Sequence, residues 1–458
     1  MQNIILLTDS YKVTHYNQYP PGTEKVYSYF ESRGGKFPEI CFFGLQYFIK
    51  KYLVGKVVNQ DMIDEASEIY SKHFGNDQLF YKEGWEYILN EHNGHLPIRI
   101  KSIPEGTILP YKNVLFTMEN TDPKCFWLTN FLETLLVQVW YPMTVATNSR
   151  EQKKIIMKYL KETGSPNLID FKLHDFGFRG VSSVETAGLG AAAHLTQFLG
   201  TDTVAGLTVA RNYYGTDCAG FSIPASEHST ITSWGKENEL QAFENMLDKY
   251  PTGLVACVSD SFDIYKACSE LWGEKLKEKI LNREGTLVIR PDSGEPKDVD
   301  LKILEILGEK FGYNINTKGF KVLNDHVRII QGDGICYETI IDILEHLKLN
   351  GWSADNIAFG SGGGLLQKLN RDTQKCAFKC SMIIVNGKEV PVYKDPITDS
   401  GKKSKKGWLS LHNIDDKWLT KSDGEHDFET DLLQKIFEDG NLLVDQKWEE
   451  IRERSIIL

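Results

Sequence analysis

The sequence predicts an α/β fold dominated by a β/α barrel, flanked by a mixed α/β N-terminal region and a tail of β character. Three observations carry the prediction. Seven short apolar runs follow one another between residues 171 and 362, most of them trailed by a stretch with apolar residues at helical spacing. Nearly every run ends in an acid, a base or a glycine turn, as strands do where their following loops share one chemically active face. No internal repeat is visible, and an open doubly wound sheet is the competing arrangement of the same elements.

Residues 1–150 are read as one mixed α/β domain. KVYSYFESR (25–33) has the composition of a strand, and the segment 98–119 alternates apolar and polar residues around a Pro104-Glu105-Gly106 turn. Residues 125–140 are apolar and helical in spacing. Asn148 or Ser149 is expected to cap a further helix that stops at Gly164-Ser165-Pro166. Residues 151–385 hold the barrel, with 171–176, 202–207, 220–226, 254–260, 286–292, 327–333 and 356–362 as its strands. A capping pair, Ser182 and Glu185, opens the first intervening helix. Residues 386–458 return to β character, pass through a lysine-rich loop (401–407) and end in WEEIRERSIIL, expected to be an exposed helix.

Composition narrows the function. Of 458 residues, 41 % are apolar and 25 % charged, with a net charge of −11. This is ordinary globular usage and excludes a disordered, collagenous or coiled-coil chain. The acidic balance argues against a general nucleic-acid coat. No apolar run reaches the ~18 residues that would span a bilayer. The start, MQNIILLTDSYKVTH, lacks the basic region and long apolar core of a secretion signal. The eight cysteines form no CxxC pair and read as reduced thiols of a cytoplasmic protein.

The strand ends collect the chemistry. They carry His174, Asp175, Arg179, Asp202, Glu227, His228, Asp260, Arg290, Asp292, Asp333 and the turn Gly360–Gly364. Any one of these is more often a cap or a surface ion pair, but together they describe a pocket for a sugar phosphate. The turn places bare backbone between a strand and a helix, which suits a phosphate. Arg371 and Lys379 follow it and would add charge. No Gly-Lys-Ser/Thr follows, so it is not a Walker loop. Asp292 and Asp333 suit ribose hydroxyls or a Mg²⁺ carried in on phosphates. Asp260 either joins that set or caps a helix starting near Ser261. His228 is open to three roles: general base, phosphate ligand or phosphorylated nucleophile. No HxH or HExxH pattern marks a metal site. Phe176 is either core or, facing the cavity, a stacking surface for a flat ring. The loop 394–407 is either a solvated basic face or a clamp over a polyphosphate.

The blocks DSYKVTHYNQYPPGTEKVYSYFESR, TNSREQKK, KLHDFGFRGVSS, GTDTVAGL, SEHSTITSWG, VSDSFDIY, IRPDSGEP, QGDG, FGSGGGLLQKLNRD and KDP with KSKKG occur in order across residues 3–455. In them the chain resembles the nicotinamide phosphoribosyltransferase family of type II phosphoribosyltransferases. The resemblance implies an incomplete TIM-like β/α barrel joined to a mixed α+β domain on which the C-terminal segment packs back. It implies a homodimer with two shared active sites. The implied substrates are nicotinamide and phosphoribosyl pyrophosphate (PRPP), and the products are nicotinamide mononucleotide and pyrophosphate. Mg²⁺ would be bound through pyrophosphate, without dedicated protein ligands. ATP would be a coupling co-substrate acting through a phosphohistidine, and no nucleic acid or membrane is involved.

The same resemblance assigns roles by position. Phe176 and Tyr11 of the partner subunit would sandwich the pyridine ring. Asp202 would accept from the carboxamide NH₂ and exclude nicotinate by like charge. Arg290 would lie near the amide and the phosphates, and Asp292, Gly332 and Asp333 would hold the ribose. Gly362, Gly363 and Arg371 would take the 5′-phosphate, with Lys379 and Lys394 close by. Arg179 and His228 would face pyrophosphate, with His228 phosphorylated and Asp260 beside it. Arg33 and Lys402 would contribute across the dimer. Ala256 and Ala377 stand where the family often has serine, and the stretch from Arg33 to Phe42 and the loop near Thr216 are shorter than in animal members. A nicotinate phosphoribosyltransferase, another sugar-phosphate barrel enzyme and a non-catalytic binding protein are the competing readings.

Overall fold

The computed structural model describes residues 2–398 and 403–456. The chain forms two compact units. One comprises the residues up to Thr147, Asn212–Thr216 and Leu369–Ile456; the other comprises Asn148–Arg211 and Asp217–Lys368.

The second unit is centred on a six-stranded parallel sheet. Its order is Gly200–Thr201, Leu173–Asp175, Ile357–Ser361, Val327–Gln331, Glu284–Arg290 and Thr252–Val258. Parallel neighbours need long crossovers, and helices such as Pro296–Phe311 and Tyr337–Leu349 supply them. Val255, Cys257, Leu287, Ile289, Ile329 and Phe359 are buried on one face. On the other face, Ala256, Val288 and Ile330 form an apolar cluster with Phe176, Ile223 and Ala358. Burial on both faces is why these strands read as continuous apolar runs.

The stretch 220–226 touches both edges of this sheet. Gly200 pairs with Phe221 and Ala225 with Ala256, both in parallel sense. Thr201 N donates to Phe221 O (3.0 Å) and Ala256 N to Pro224 O (2.9 Å). Pro224 has no N–H to give back, so the stretch bridges the edges without becoming a continuous strand. The expected strand at 202–207 is instead helical from Val204. The strand there is only Gly200–Thr201, because the Thr203 N–H turns back to Thr201 Oγ1 (2.9 Å) and leaves the ladder.

Two expected caps shift. Asn148 and Ser149 lie inside a single helix, Trp140–Thr163, where the Ser149 hydroxyl is 3.0 Å from His194 Nδ1. The helix Val184–Leu195 is capped by Ser183, which accepts from Thr186 N, one residue beyond Ser182.

The first unit holds a seven-stranded sheet in the order Lys388–Pro391, Cys376–Val385, Thr23–Ser32, Val114–Asn120, Ile98–Ser102, Gln434–Glu438 and Asn441–Leu442. Its neighbours are antiparallel. Phe30 sits at its centre, paired with both Phe378 and Phe116 and stacked on Phe116 at 4.9 Å between ring centroids. The strand Cys376–Val385, placed in the barrel by the sequence, therefore belongs to this sheet. The C-terminal helix Trp448–Ser455 is not simply exposed: Trp448 and Ile451 are buried, with Phe43 and Tyr214 packed edgewise on the indole. Among the described residues, no helix is long and apolar enough to cross a membrane.

Candidate active site

Four strand ends of the second unit open onto one hollow of about 310 Å³. Phe176 and Arg179 follow the strand Leu173–Asp175. Arg290 and Asp292 end the strand Glu284–Arg290, Gly332 and Asp333 follow Val327–Gln331, and Gly362 and Gly363 follow Ile357–Ser361; all of them line the hollow.

Phe176 forms part of its floor. The ring rests on the apolar cluster of Ala256, Val288 and Ile330, and its backbone N donates to Ser361 O at 2.9 Å. A side chain at Gly360 would overlap the ring, so the glycine there makes room for it. Asp175 anchors the loop from below. It accepts from Gly177 N (2.7 Å) and Thr201 Oγ1 (2.9 Å), while burial pushes its carboxyl up from the usual range. Ala256 contributes only a methyl group to this floor, which keeps it apolar.

Charge is arranged around the floor. The Arg290 guanidinium lies 3.9 Å from Asp292 Oδ2, and its buried Nε has no hydrogen-bond partner among the described residues. An orphaned cationic donor beside a hollow is suited to an anionic ligand. Asp333 is exposed at the rim. His228 Nε2 is 3.0 Å from Asp260 Oδ1, and His228 Nδ1 is 3.9 Å from Asp292 Oδ2. The second Asp260 oxygen accepts from Asp292 N (3.0 Å) and Ser293 Oγ (2.5 Å). Asp260 is thus a buried organiser of the other two. The cap of the following helix is Asp263, which accepts from Tyr265 N and Lys266 N.

Asp202 makes a third cluster with His174 and Ser222. Burial pushes its carboxyl up. The bond to His174, the Ser222 hydroxyl and the positive charge of Arg290 outweigh that and hold it below the usual carboxylate range.

Tyr11, Arg371, Lys379 and Lys394 belong to the first unit. Tyr11 is 59 % exposed on the short helix Ser10–Asn17, and Arg371 is exposed. Lys379 lies on the strand Cys376–Val385. Burial lowers its pKa, Glu133 opposes this, and the neighbouring cations Arg33, Lys12 and Lys394 lower it further. A separate cavity of about 630 Å³ in this unit is lined by Arg33, Lys112, Lys403, Lys405 and Lys406 among others. The described part of the lysine-rich loop is tied down there: Lys405 pairs with buried Glu31, Lys403 with Asp395 (2.9 Å) and Lys406 with Asp423 (2.8 Å). Lys402 lies outside the described residues.

Sequence reasoning missed Ser222 and Ser293. Ser293 had a signal, since it adjoins Asp292 in the turn; Ser222 had none beyond its place in an apolar run. As chemistry, the second unit offers an aromatic floor for a flat ring, cations and bare backbone for an anion, and carboxylates for hydroxyls. It also offers an imidazole braced by a buried acid.

Comparison with known proteins agrees with this geometry. Residues 171–441 match the nicotinate phosphoribosyltransferase (NAPRTase) family, and residues 3–100 match the nicotinamide phosphoribosyltransferase N-terminal domain. The chain is 49 % identical to the nicotinamide phosphoribosyltransferase of Xanthomonas campestris pv. campestris over 99 % of its own length and 98 % of that protein. It is 35 % identical to the Acinetobacter baylyi nicotinamide phosphoribosyltransferase, covering 97 % and 95 % of the two chains. Among solved structures, it is similar to the nicotinate-nucleotide pyrophosphorylase of Pyrococcus furiosus (TM-score 0.59, 16 % identity, 99 % and 95 % coverage). It is also similar to human nicotinic acid phosphoribosyltransferase (TM-score 0.56, 14 % identity, 98 % and 93 % coverage). At such identities these two structures speak to fold.

Proposed function

The chain belongs to the nicotinamide phosphoribosyltransferase family, and from that premise we propose that it transfers the phosphoribosyl group of PRPP to nicotinamide, giving nicotinamide mononucleotide and pyrophosphate in cytoplasmic NAD salvage. One observation supports the reading most: a single hollow gathers Arg179, Arg290, the glycine turn, Asp292 and Asp333 over the Phe176 floor. We read the parallel sheet bridged by 220–226 as an incomplete TIM-like barrel.

The pyridine nitrogen attacks ribose C1 through its lone pair, and the bond from C1 to the pyrophosphate oxygen breaks. Positive charge grows on the ribose and negative charge on the leaving group. Arg179 and Arg290 stabilise the leaving group, while Asp292, Gly332 and Asp333 hold the ribose. Gly362 and Gly363 take the 5′-phosphate. Phe176 and Tyr11 of the partner subunit aim the ring, which requires a homodimer with shared sites. Asp202 accepts an amide N–H and repels the carboxylate of nicotinate.

Attack by a pyridine lone pair needs no general base, which leaves His228 for ATP. Its free ring nitrogen takes the γ-phosphoryl group of ATP as ADP leaves, while Asp260 holds the other nitrogen. The Asp292 and Asp333 carboxylates beside a polyanion fit Mg²⁺, a hard cation bound by carboxylates and phosphates. It would be held through the substrate's pyrophosphate, with those two carboxylates nearby and not as dedicated ligands, and it would neutralise charge on the departing pyrophosphate.

The test is mass detection of product from nicotinamide and from nicotinate, with and without ATP. Nicotinamide mononucleotide formation, accelerated by ATP, is expected. Nicotinate used as well as nicotinamide would turn the reading to a nicotinate phosphoribosyltransferase, and no turnover of either would turn it to a binding protein.

A further inference from the structure

We infer that His174 and Ser222 are positioning residues which saturate one oxygen of Asp202, reserve the other for the carboxamide and thereby set selectivity for amide over acid. The inference rests on the reading of Asp202 given above and specifies what makes that carboxylate selective.

Both contacts go to the same atom. His174 Nε2 lies 2.9 Å from Asp202 Oδ1, and Ser222 Oγ donates to that oxygen at 2.5 Å. A carboxylate oxygen has two lone pairs, so Oδ1 is filled. Oδ2 has no hydrogen-bond donor among the described residues. A bond from imidazole to a carboxylate requires the proton on Nε2, which makes His174 a donor here.

Three separate segments hold this arrangement. His174 is on the strand Leu173–Asp175, Asp202 follows Gly200–Thr201, and Ser222 sits on the bridging stretch 220–226. The Asp202 N–H is fixed to the Asp175 carbonyl at 2.9 Å. The imidazole fits against Gly200, where a Cβ would stand 2.6 Å from Nδ1. Its ring centroid is 5.2 Å from that of Phe176, so the cluster is continuous with the floor on which the base is read to stack. The His174 side chain is 14 % exposed and that of Asp202 46 %, so the acid is more open to an incoming ligand than the imidazole that braces it.

The consequence for selectivity is twofold. The open Oδ2 offers an acceptor to the amide N–H. The two donors nearby, which would otherwise welcome a carboxylate, are already committed to Oδ1. Nicotinate therefore meets a negative charge without finding a donor. Removing either donor should loosen the carboxylate, weaken amide binding and so narrow the preference for amide over acid.

The experiment measures kcat and KM for nicotinamide, nicotinate and PRPP in the full-length protein and in Ser222→Ala, His174→Leu, His174→Gln and Asp202→Asn. In Ser222→Ala and His174→Leu, KM for nicotinamide should rise about tenfold, with kcat and KM for PRPP within about twofold of the parent. His174→Gln, whose side-chain amide can donate from a similar position, should recover most of the loss. Ser222→Ala is a small change at an exposed position and carries the test if His174→Leu does not fold. If nicotinamide KM and base preference are unchanged in the brace variants while Asp202→Asn loses its preference, the inference fails and the reading of Asp202 stands. If Asp202→Asn keeps its preference, that reading fails first.

Discussion

His228 and Asp260 are joined by a 3.0 Å hydrogen bond between Nε2 and Oδ1, and the Asp260 side chain is only 5 % exposed. A buried acid in that position fixes the imidazole and stabilises the positive charge that grows when its other nitrogen takes a phosphoryl group. His228→Ala is therefore expected to retain basal synthesis and lose ATP stimulation. Asp260→Asn should also reduce the stimulation and in addition raise KM for PRPP, because the same acid holds Asp292 N and Ser293 Oγ. Initial rates with and without ATP check both; full acceleration in His228→Ala would remove the histidine from the coupling step.

A side chain at Gly360 would overlap the Phe176 ring, and overpacking of this kind typically destabilises by about 1–3 kcal/mol. The ring cannot sink, because Ala256, Val288 and Ile330 already fill the space beneath it. It must move into the hollow instead. Gly360→Ala is expected to raise KM for nicotinamide by about tenfold or more, with a smaller change for PRPP. Nicotinamide KM within about twofold of the parent, in a variant that folds normally, would separate Phe176 from base binding.

The hollow was legible in the sequence because a parallel strand announces its end. Where an apolar run stops, the next residues face the shared mouth, and that rule alone points to Asp292, Asp333 and Gly362, which line the hollow. Pairings between distant segments were not legible. Nothing about Ser222 says that it reaches Asp202, since that depends on a proline-interrupted stretch crossing between two sheet edges. Cys376–Val385 has the apolar look of a barrel strand, and only its pairing of Phe378 with Phe30 assigns it to the other sheet. The two-residue strand Gly200–Thr201 is too short to show any period, so the apolar residues of the helix from Val204 read as its continuation.

Adjacent glycines in the turn should fail differently. A Cβ at Gly363 meets nothing within 4 Å, whereas one at Gly364 would overlap the Ile335 carbonyl. Both residues line the hollow. Gly363→Ala is expected to keep the parent melting temperature and to raise KM for PRPP about tenfold by crowding the phosphate. Gly364→Ala should lower the melting temperature, by several degrees for a loss of about 1–3 kcal/mol. Thermal melts paired with PRPP kinetics distinguish them; equal melting losses in both would mean that the turn is structural and holds no phosphate.

The Asp202 carboxyl gives a pH prediction. Burial raises its pKa, but the bond and charge of His174, the Ser222 hydroxyl and Arg290 prevail and hold it below the ordinary 3.8. A carboxyl lowered in this way is ionised at and above its ordinary value. The stability it contributes is present above that value and is lost as pH falls through the lower, folded-state pKa. Across about pH 6 to 8 the negative charge of Asp202 is therefore constant. The ratio of kcat/KM for nicotinamide to that for nicotinate should be flat over the same window, even where each rate varies on its own. Measuring both substrates at closely spaced pH values checks this. A ratio that titrates inside the window would mean that a different ionising group carries the preference, and Asp202→Asn would then leave the titration in place.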